Sequence, residues 1–428
     1  MAILINAAIS MEGEKMKIGI GYENSLSAHS AGRNVARMAI EKGQIQEPDV
    51  VLSFCHGTMD HFEFFEGLRS VVGDKVPIVG GSAVGIITND HICYEGSPAG
   101  AAILSSPNIS CKWAYAERLD HDEKAAGKSL GRRIPSNPDD IVLLLFYDSI
   151  KIPQTEISPP IMNASPPLIK GIEETLQTVA PIIGAGMLGH VDFIQTQQFC
   201  GDHVGSQEAV GMMLSGDYSV YYCVMHGCTL KDGIYYTITH MEGAKIFELD
   251  GRPIVSIIDE MYGNQEWQKQ IPLKRLAIGV NHGEPFGDFK EEHYVNRLIT
   301  GVLPNKEGVM MFEPDLESGN KIQFMLRDSE EMIRSARHNT EKLMAQILAD
   351  KKQPVFALYI DCAGRTADFS DTLTEEASEV VEIMNYHKTP LLGFYSGVEV
   401  APMFGMSRGL DWTGVLTVLA RRDHNEAF

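Results

Sequence analysis

Residues 77–81 read Pro77-Ile78-Val79-Gly80-Gly81, and the same kind of turn returns as Pro181-Ile182-Ile183-Gly184-Ala185 and as Pro390-Leu391-Leu392-Gly393. In each stretch a proline precedes a short apolar run that ends in glycine, which is typical of a buried strand that opens after a turn. The turn stands at the same place in three similar successions of elements. The sequence therefore predicts an internal repeat.

Around each turn, short apolar runs alternate with segments of helical periodicity, which predicts strands and crossover helices packed in layers. In the first copy, residues 17–22 and 50–55 are predicted strands and residues 31–40 a predicted helix. The third copy is predicted to begin with a strand at residues 322–326 and a helix at residues 330–349. We therefore expect an α/β fold of layered mixed sheets with helices, built from repeated β-α-β-α-β-β units.

The chain length indicates more than one domain, because 428 residues exceed the size at which a single hydrophobic core usually stops growing. Two of the repeated units are expected in the first domain and one in the second. The predicted divisions are an N-terminal extension at 1–16, an N-terminal domain at 17–238 with an internal duplication at about 17–110 and 111–216, and a C-terminal domain at 239–428.

Charge and cysteine content limit the partners and the compartment. The 36 basic and 57 acidic residues leave a net charge of −21, which repels nucleic acid and anionic membranes on average. Seven scattered cysteines favour reduced thiols over a disulfide framework. The apolar run at residues 2–9 is too short to span a bilayer. A cytoplasmic protein that binds neither nucleic acid nor membrane is predicted.

Polar side chains follow the second strand of each copy, where ligands of layered α/β proteins usually bind. These side chains are His56, Asp148 and Cys362. The glycine-rich turns add further candidates, namely Gly80, Gly81, Ser82, Gly184 and Gly393. We predict that these residues bind a ligand, while helix caps and ordinary strand-end hydrogen bonds remain the structural alternative.

Cys362 is followed by Arg365, and Glu399 follows a second glycine-flanked turn at residues 396–398. A guanidinium group can lower the pKa of a nearby thiol or hold a ligand carboxylate through two hydrogen bonds. The three residues are therefore predicted to bind a ligand or to act as a nucleophile with an acid/base partner. An ion pair between Arg365 and Glu399 that joins two loops is the structural alternative.

Four histidines, His190, His203, His226 and His240, occur within one stretch of the chain. A single histidine in an apolar pocket is enough to ligate haem non-covalently, so haem is left open as a cofactor. Surface exposure or ordinary hydrogen bonding is the favoured explanation for each of these histidines.

The order of several short motifs resembles the FIST family of sensory proteins, which pair an N-terminal with a C-terminal FIST domain. In the N-terminal half these motifs are Gly19-Ile20-Gly21-Tyr22, the turn at residues 77–82 and the junction at residues 247–253. In the C-terminal half they are Cys362-Ala363-Gly364-Arg365 and the segment at residues 397–402. The chain departs from the family pattern in one respect, because Val398 separates Gly397 from Glu399.

The resemblance implies a small-ligand sensor, with amino acids among the ligands proposed for the family. Some members bind haem and report nitric oxide to a histidine kinase. The leading hypothesis is a stand-alone intracellular sensor that binds an amino acid or related metabolite and signals through a separate partner protein. The alternatives are a haem-binding nitric-oxide sensor that acts on a histidine kinase, and an enzyme that depends on Cys362.

Overall fold

The computed structural model describes residues 16–153 and 160–422. The α/β class is confirmed. The first part of the chain, called unit 1, spans residues 17–105. Its elements are β1 Lys17–Asn24, α1 Ala28–Gly43, β2 Val50–His56, α2 His61–Val72, β3 Ile78–Ala83, β4 Ile86–Thr88, β5 Ile92–Cys93 and β6 Pro98–Ser105. The helix α2 begins after Asp60, whose carboxylate accepts a hydrogen bond from the Glu63 N–H and so caps the helix.

Unit 2 spans residues 109–216 and repeats the alternation of strands and helices. Its elements are β7 Ile109–Ala116, α3 Glu123–Arg133, β8 Asp140–Asp148, β9 Ile150–Ile152, β10 Ile161–Met162, α4 Ser165–Glu173, β11 Ile182–Met187, β12 Gln198–Gly201, β13 His203–Gly205 and β14 Ala209–Gly216. Asp122 caps α3 as Asp60 caps α2, because its carboxylate accepts a hydrogen bond from the Ala125 N–H.

Unit 3 spans residues 219–422 and is interrupted by an inserted segment at residues 228–327. Before the insertion it contributes β15 Ser219–Met225. The inserted segment contains β16 Cys228–Leu230, β17 Tyr236–Glu242, β18 Lys245–Leu249, β19 Arg252–Pro253, α5 Ile254–Tyr262, β20 Leu276–Asn281, β21 Tyr294–Arg297, β22 Ile299–Val302, β23 Val309–Met311 and β24 Lys321–Arg327. Unit 3 then continues with α6 Ser329–Ala349, β25 Lys352–Cys362, α7 Ala367–Ser370, α8 Ala377–Tyr386, β26 Leu391–Ser396, β27 Val398–Met403, β28 Met406–Leu410 and β29 Gly414–Arg422.

Each unit is the basis of a six-stranded sheet, and the three sheets share one strand order. The orders are β1-β6-β2-β3-β12-β13, β7-β14-β8-β11-β27-β28 and β15-β29-β25-β26-β4-β5. In every sheet the last two strands form a hairpin that comes from another unit. Unit 2 completes the sheet of unit 1, unit 3 that of unit 2, and unit 1 that of unit 3, so backbone hydrogen bonds join the units in a ring.

The prediction that residues 322–326 open the third copy is wrong. These residues do form a strand, β24, but it lies in the nine-stranded sheet of the inserted segment. The edge position of the third sheet is taken by β15, which pairs with β29. The insertion separates β15 from the rest of its unit, so the order of elements along the chain pointed to the wrong strand. The proposed domain boundary between residues 238 and 239 stays a prediction.

A common core lies between the three sheets. The rings of Phe54 and Phe394 stack with their centroids 3.9 Å apart, and Phe146 meets Phe54 edge-on at 5.3 Å. All three side chains are fully buried. The helices pack in pairs, α1 with α2, α3 with α4 and α6 with α8. Because strand side chains alternate between faces, each sheet can cover the common core with one face and a helix pair with the other.

The inserted segment has a core of its own beneath its nine strands. Trp267 is 1% exposed there, among Ile238, Ile278 and Phe324. The Trp267 indole donates a hydrogen bond to the Asp259 carboxylate at 2.7 Å, which satisfies its buried N–H. Within the parts of the chain that the structure describes, no helix combines the length and apolar character that crossing a bilayer requires.

The glycine of each Pro-x-x-Gly motif lies inside a strand and not in the predicted turn, namely Gly80 in β3, Gly184 in β11 and Gly393 in β26. Each packs against the backbone of the neighbouring parallel strand. A Cβ atom at Gly184 would lie 1.8 Å from the carbonyl oxygen of Leu145. The corresponding distances are 1.9 Å from Gly80 to Ser53 and 2.6 Å from Gly393 to Tyr359. Any side chain would therefore collide with a backbone atom. This steric requirement explains why glycine occurs at the same position of all three motifs.

Replacing Gly184 with alanine should lower the free energy of unfolding by about 2–3 kcal/mol, because the new methyl group overpacks the sheet against a backbone that cannot yield. Urea titration followed by circular dichroism measures the change. Gly301→Ala is the matched control, since a Cβ there would meet its nearest atoms at 3.6 Å, an ordinary contact. Equal losses in the two variants would contradict the steric explanation.

Candidate functional site

The ends of the three second strands occupy equivalent positions in their sheets. His56 pairs with Ala83, Asp148 with Met187, and Cys362 with Ser396, in each case at the last pair of the parallel ladder. The polar groups predicted at strand ends are thus at matched registers. Each has its own set of contacts, so they belong to three separate places in the molecule.

In unit 1, His56 and Ser82 lie in a small buried polar cluster. The Nδ1 of His56 is 2.8 Å from the Thr58 hydroxyl, and the Ser82 hydroxyl is 2.7 Å from Nε2 of His61. Ser82 Oγ also accepts a hydrogen bond from the Gln197 N–H at 2.9 Å. Burial lowers the pKa of His61 to about 4, so the imidazole is neutral at pH 7. These contacts satisfy the cluster internally and fix the loops around it.

The glycines of unit 1 and unit 2 face backbone rather than a cavity. Besides the contacts of Gly80 and Gly184 with the neighbouring strands, a Cβ at Gly81 would lie 2.2 Å from the carbonyl oxygen of Gln197. Ligand binding by these glycines therefore stays a prediction. Their close approach to the backbone shows that they are needed for steric reasons.

In unit 2, the Asp148 carboxylate forms hydrogen bonds with the backbone of two separate segments. It accepts hydrogen bonds from the Ile150 N–H at 3.0 Å and the Gln207 N–H at 3.1 Å. Burial nonetheless raises the pKa of Asp148 to about 6. The side chain is fully buried, so its visible role is to connect the end of β8 to the short segment between β13 and β14.

In unit 3, Cys362 lies in the wall of an apolar cavity of about 90 Å³. We call this cavity the Cys362 pocket. Its walls come from three regions, the loop after β11, the inserted segment and unit 3. The lining residues are Leu188, Val191, Phe193, Ile271, Pro272, Leu298, Phe312, Cys362, Ala363, Gly364, Phe369, Ser396, Gly397 and Trp412. The cavity lies beyond the ends of parallel strands and is walled mainly by apolar groups, as small-molecule sites usually are, but its volume is below the roughly 300–1,000 Å³ of most such sites.

The pocket has an exposed rim and a buried floor. Val191 and Ile271 are 54% and 59% exposed, whereas Ser396 and Trp412 are buried. Burial and the neighbouring Glu399 raise the pKa of the Cys362 thiol well above its usual value. A nucleophilic cysteine needs the opposite shift, because the thiolate is the reactive form. The Cys362 side chain therefore offers a neutral thiol to the pocket.

Glu399 supports the floor of the pocket from below. Its carboxyl group accepts hydrogen bonds from the hydroxyls of Ser396 and Thr413, both at 2.9 Å, and from the Thr413 N–H at 3.3 Å. The side chain is fully buried, and burial raises the pKa of Glu399 to about 8. At neutral pH the group is mainly protonated and uncharged.

The Arg365 side chain is buried and bonds to protein groups other than Glu399. Its guanidinium donates to the carboxylates of Asp361 and Glu376 and to the carbonyl oxygens of His226 and Trp412. The predicted structural alternative, an ion pair between Arg365 and Glu399, is therefore wrong. The guanidinium instead fixes the loop after β25, which forms one wall of the Cys362 pocket.

The four histidines considered for haem lie in different elements with different partners. His203 pairs with Glu208 at 2.8 Å, and His226 Nε2 lies 3.0 Å from the Glu291 carbonyl oxygen. His190 lies 3.0 Å from the Asp192 carboxylate, and His240 is exposed and stacks on Phe247. None of the four lines the Cys362 pocket, and haem as a cofactor stays a prediction.

The sequence did not point to the apolar walls of the pocket. Leu298 and Phe312 come from the inserted segment, and Trp412 follows β28. Apolar residues on a strand or beside it look alike in a sequence whether they pack in a core or line a cavity. Among the lining residues, Cys362, Ala363 and Gly364 gave a signal through their motif, and Ser396 and Gly397 through the turn that precedes Glu399.

Two family models match the chain in tandem. The FIST N domain matches residues 49–252, and the FIST C domain matches residues 255–402. No curated protein matches the sequence.

Several solved structures align along most of the chain with low similarity. The cyanuric acid hydrolase from A. caulinodans is 10% identical over 96% of this chain and 100% of its own, with a TM-score of 0.33. A chorismatase is 9% identical over 95% and 99%, with a TM-score of 0.31. T. maritima PurL complexed with FGAR is 12% identical over 95% and 72%, with a TM-score of 0.22. At these TM-scores the likenesses carry no argument about activity.

Proposed function

This chain belongs to the FIST family, and from that membership we propose that it is a sensory protein that binds a small molecule in the Cys362 pocket and signals through a separate partner protein. FIST domains are in general signal-transduction sensor domains that bind small ligands. One observation supports the choice of site most strongly. The walls of the pocket come from unit 2, the inserted segment and unit 3, so one ligand would contact all three.

A ligand at such a junction can act as a signal because it favours the arrangement in which its contacts are made. Leu188 and Phe312 belong to different regions of the chain and face the same cavity. Binding would hold these regions together and change the surface that a partner meets. A histidine kinase is the partner that the family suggests. The raised pKa of the Cys362 thiol favours a binding role for this site over nucleophilic chemistry.

Ala363→Leu should weaken ligand binding at least tenfold, or about 1.4 kcal/mol, because it adds three carbon atoms to the wall of a small pocket. The screen is a thermal-shift survey of amino acids and related metabolites, followed by calorimetry on any stabilising compound. A ligand that binds only the native state raises the melting temperature in proportion to its occupancy.

The control is Ala349→Leu, the same change at an exposed position near the end of α6. This variant should keep the affinity of the unmodified protein. A ligand that binds both variants equally well would place its site elsewhere, and the absence of any stabilising compound across a broad panel would count against the sensor proposal.

A further inference from the structure

The side chains that line the Cys362 pocket carry almost no polarity. Among the lining residues, Cys362 and Ser396 are the two whose side chains bear a hydrogen-bonding group other than the buried indole of Trp412. No lining residue carries a charge. A zwitterionic amino acid would bring two charges into this space, and each would lose water without gaining a partner of opposite charge.

Two buried guanidinium groups beside the pocket are already engaged. Arg365 donates to two carboxylates and two carbonyl oxygens. Arg327 lies over the Trp412 ring with its guanidinium carbon 3.7 Å from the ring centre, and it donates to the Gly364 carbonyl oxygen at 2.8 Å. Neither guanidinium is free to hold a ligand carboxylate without giving up buried contacts of its own.

Among the polar groups of the lining, the Ser396 hydroxyl suits one neutral hydrogen bond with a ligand donor. The Ser396 hydroxyl has its proton within reach of two acceptors, the Glu399 carboxyl at 2.9 Å and the Asp361 carbonyl oxygen at 3.2 Å. A hydroxyl has two lone pairs as well as its proton, so Ser396 can accept a hydrogen bond from a ligand while it donates to either partner.

The size of the cavity limits the ligand further. A volume of about 90 Å³ is the space of roughly three water molecules. It can bury a group of roughly three to five heavy atoms. Val191 and Ile271 at the exposed rim offer apolar contact to a longer tail.

We propose that the Cys362 pocket binds an uncharged, mainly apolar small molecule with a single hydrogen-bond donor, such as a short-chain alcohol, in preference to a zwitterionic amino acid. The ligand places its apolar chain between Leu298, Phe312 and Trp412 and donates its hydrogen bond to Ser396. This inference rests on the proposed function and specifies the ligand class of the same pocket.

The test compares four-carbon compounds that differ in charge. At pH 7, calorimetry and ligand-observed NMR with the full chain would measure 1-butanol, butanoate, butylammonium and the zwitterionic amino acid 2-aminobutanoate. We expect 1-butanol to bind at least tenfold more tightly than the three charged compounds. We also expect Ala363→Leu to lose this binding and Ala349→Leu to keep it.

A second variant isolates the hydrogen bond. Ser396→Ala should weaken the binding of 1-butanol about tenfold and leave the binding of 1-chlorobutane, which has no donor, unchanged. Because the two ligands are compared on the same variant, a general loss of stability would affect both alike. An unchanged ratio of the two affinities would overturn the proposed role of Ser396.

The outcomes separate this inference from the function on which it rests. If butanoate, butylammonium or 2-aminobutanoate binds as tightly as 1-butanol and Ala363→Leu abolishes that binding, the pocket is the site and the ligand class is wrong. If no compound of the series or of the wider panel binds, or if all binding survives Ala363→Leu, the proposed site and the inference both fail.

Discussion

Replacing Arg365 with methionine should lower the free energy of unfolding by about 3–5 kcal/mol, the cost of removing one partner from a buried ion pair. The side chains of Arg365 and Asp361 are completely buried, and that of Glu376 is 2% exposed. Methionine keeps most of the volume of the arginine and none of its charge or donors. Urea titration at pH 7, followed by circular dichroism, measures the loss.

The destabilisation of Arg365→Met should depend on pH. Burial raises the pKa of both Asp361 and Glu376, and Arg365 opposes this effect by stabilising their ionised forms. Without the guanidinium both carboxyl groups hold their protons to higher pH in the folded state than in the unfolded state. The variant should therefore lose stability as the pH rises, and the deficit should be smaller at pH 5 than at pH 8.

Arg337→Met provides the matched control. Arg337 is a partly exposed arginine on α6 that pairs with Glu341, Glu379 and Glu382 at the surface. Water screens these pairs, so the change should have little effect at either pH. If Arg365→Met were as mild as Arg337→Met, the buried carboxyl groups would not depend on the guanidinium, and the loop after β25 would need another anchor.

The elements of the first two units could be predicted because their signals are local. The strand predicted at residues 50–55 is β2, and the helix predicted at residues 31–40 lies within α1. The exchange of hairpins could not be predicted, because it pairs segments far apart in the chain. Strand β4, for example, pairs through Thr88 with Leu392 of β26. No periodicity within a segment encodes such a distant partner.

The polar residues of the candidate site could be predicted from the sequence. The rule that ligands bind beyond strand ends selected Cys362, and the turn at residues 396–398 led to Glu399. The same rule also selected His56 and Asp148, whose side chains satisfy local backbone and side-chain groups. Strand-end position alone does not distinguish a group that faces a cavity from one that holds a turn, because both need the same residue types.

Glu399→Gln should make the protein more stable at alkaline pH than the unmodified protein. In the folded protein the pKa of Glu399 is about 8, while the pKa of an unperturbed glutamate is about 4.3. Between these values the folded state keeps a proton that the unfolded state releases, so stability falls as the pH rises through this window. At about 1.36 kcal/mol for each pKa unit, the loss between pH 5 and pH 8 is roughly 3–4 kcal/mol.

Glutamine suits the position because it resembles the protonated acid. Its oxygen can accept from the Thr413 hydroxyl and N–H, and its amide can donate to Ser396, whose own proton then turns to the Asp361 carbonyl oxygen at 3.2 Å. The free energies of unfolding of the two proteins, measured by urea titration from pH 5 to pH 8, should diverge steadily in favour of the variant.

Glu174→Gln is the control for this pH series. Lys124 and Lys128 lower the pKa of the exposed Glu174 to about 2, below the range of the experiment, so its difference from the unmodified protein should stay constant from pH 5 to pH 8. A constant difference for Glu399→Gln as well would mean that Glu399 is ionised throughout. A negative charge would then lie beneath Ser396, the pocket would attract cations, and butylammonium rather than 1-butanol would become the expected ligand of the four-carbon series.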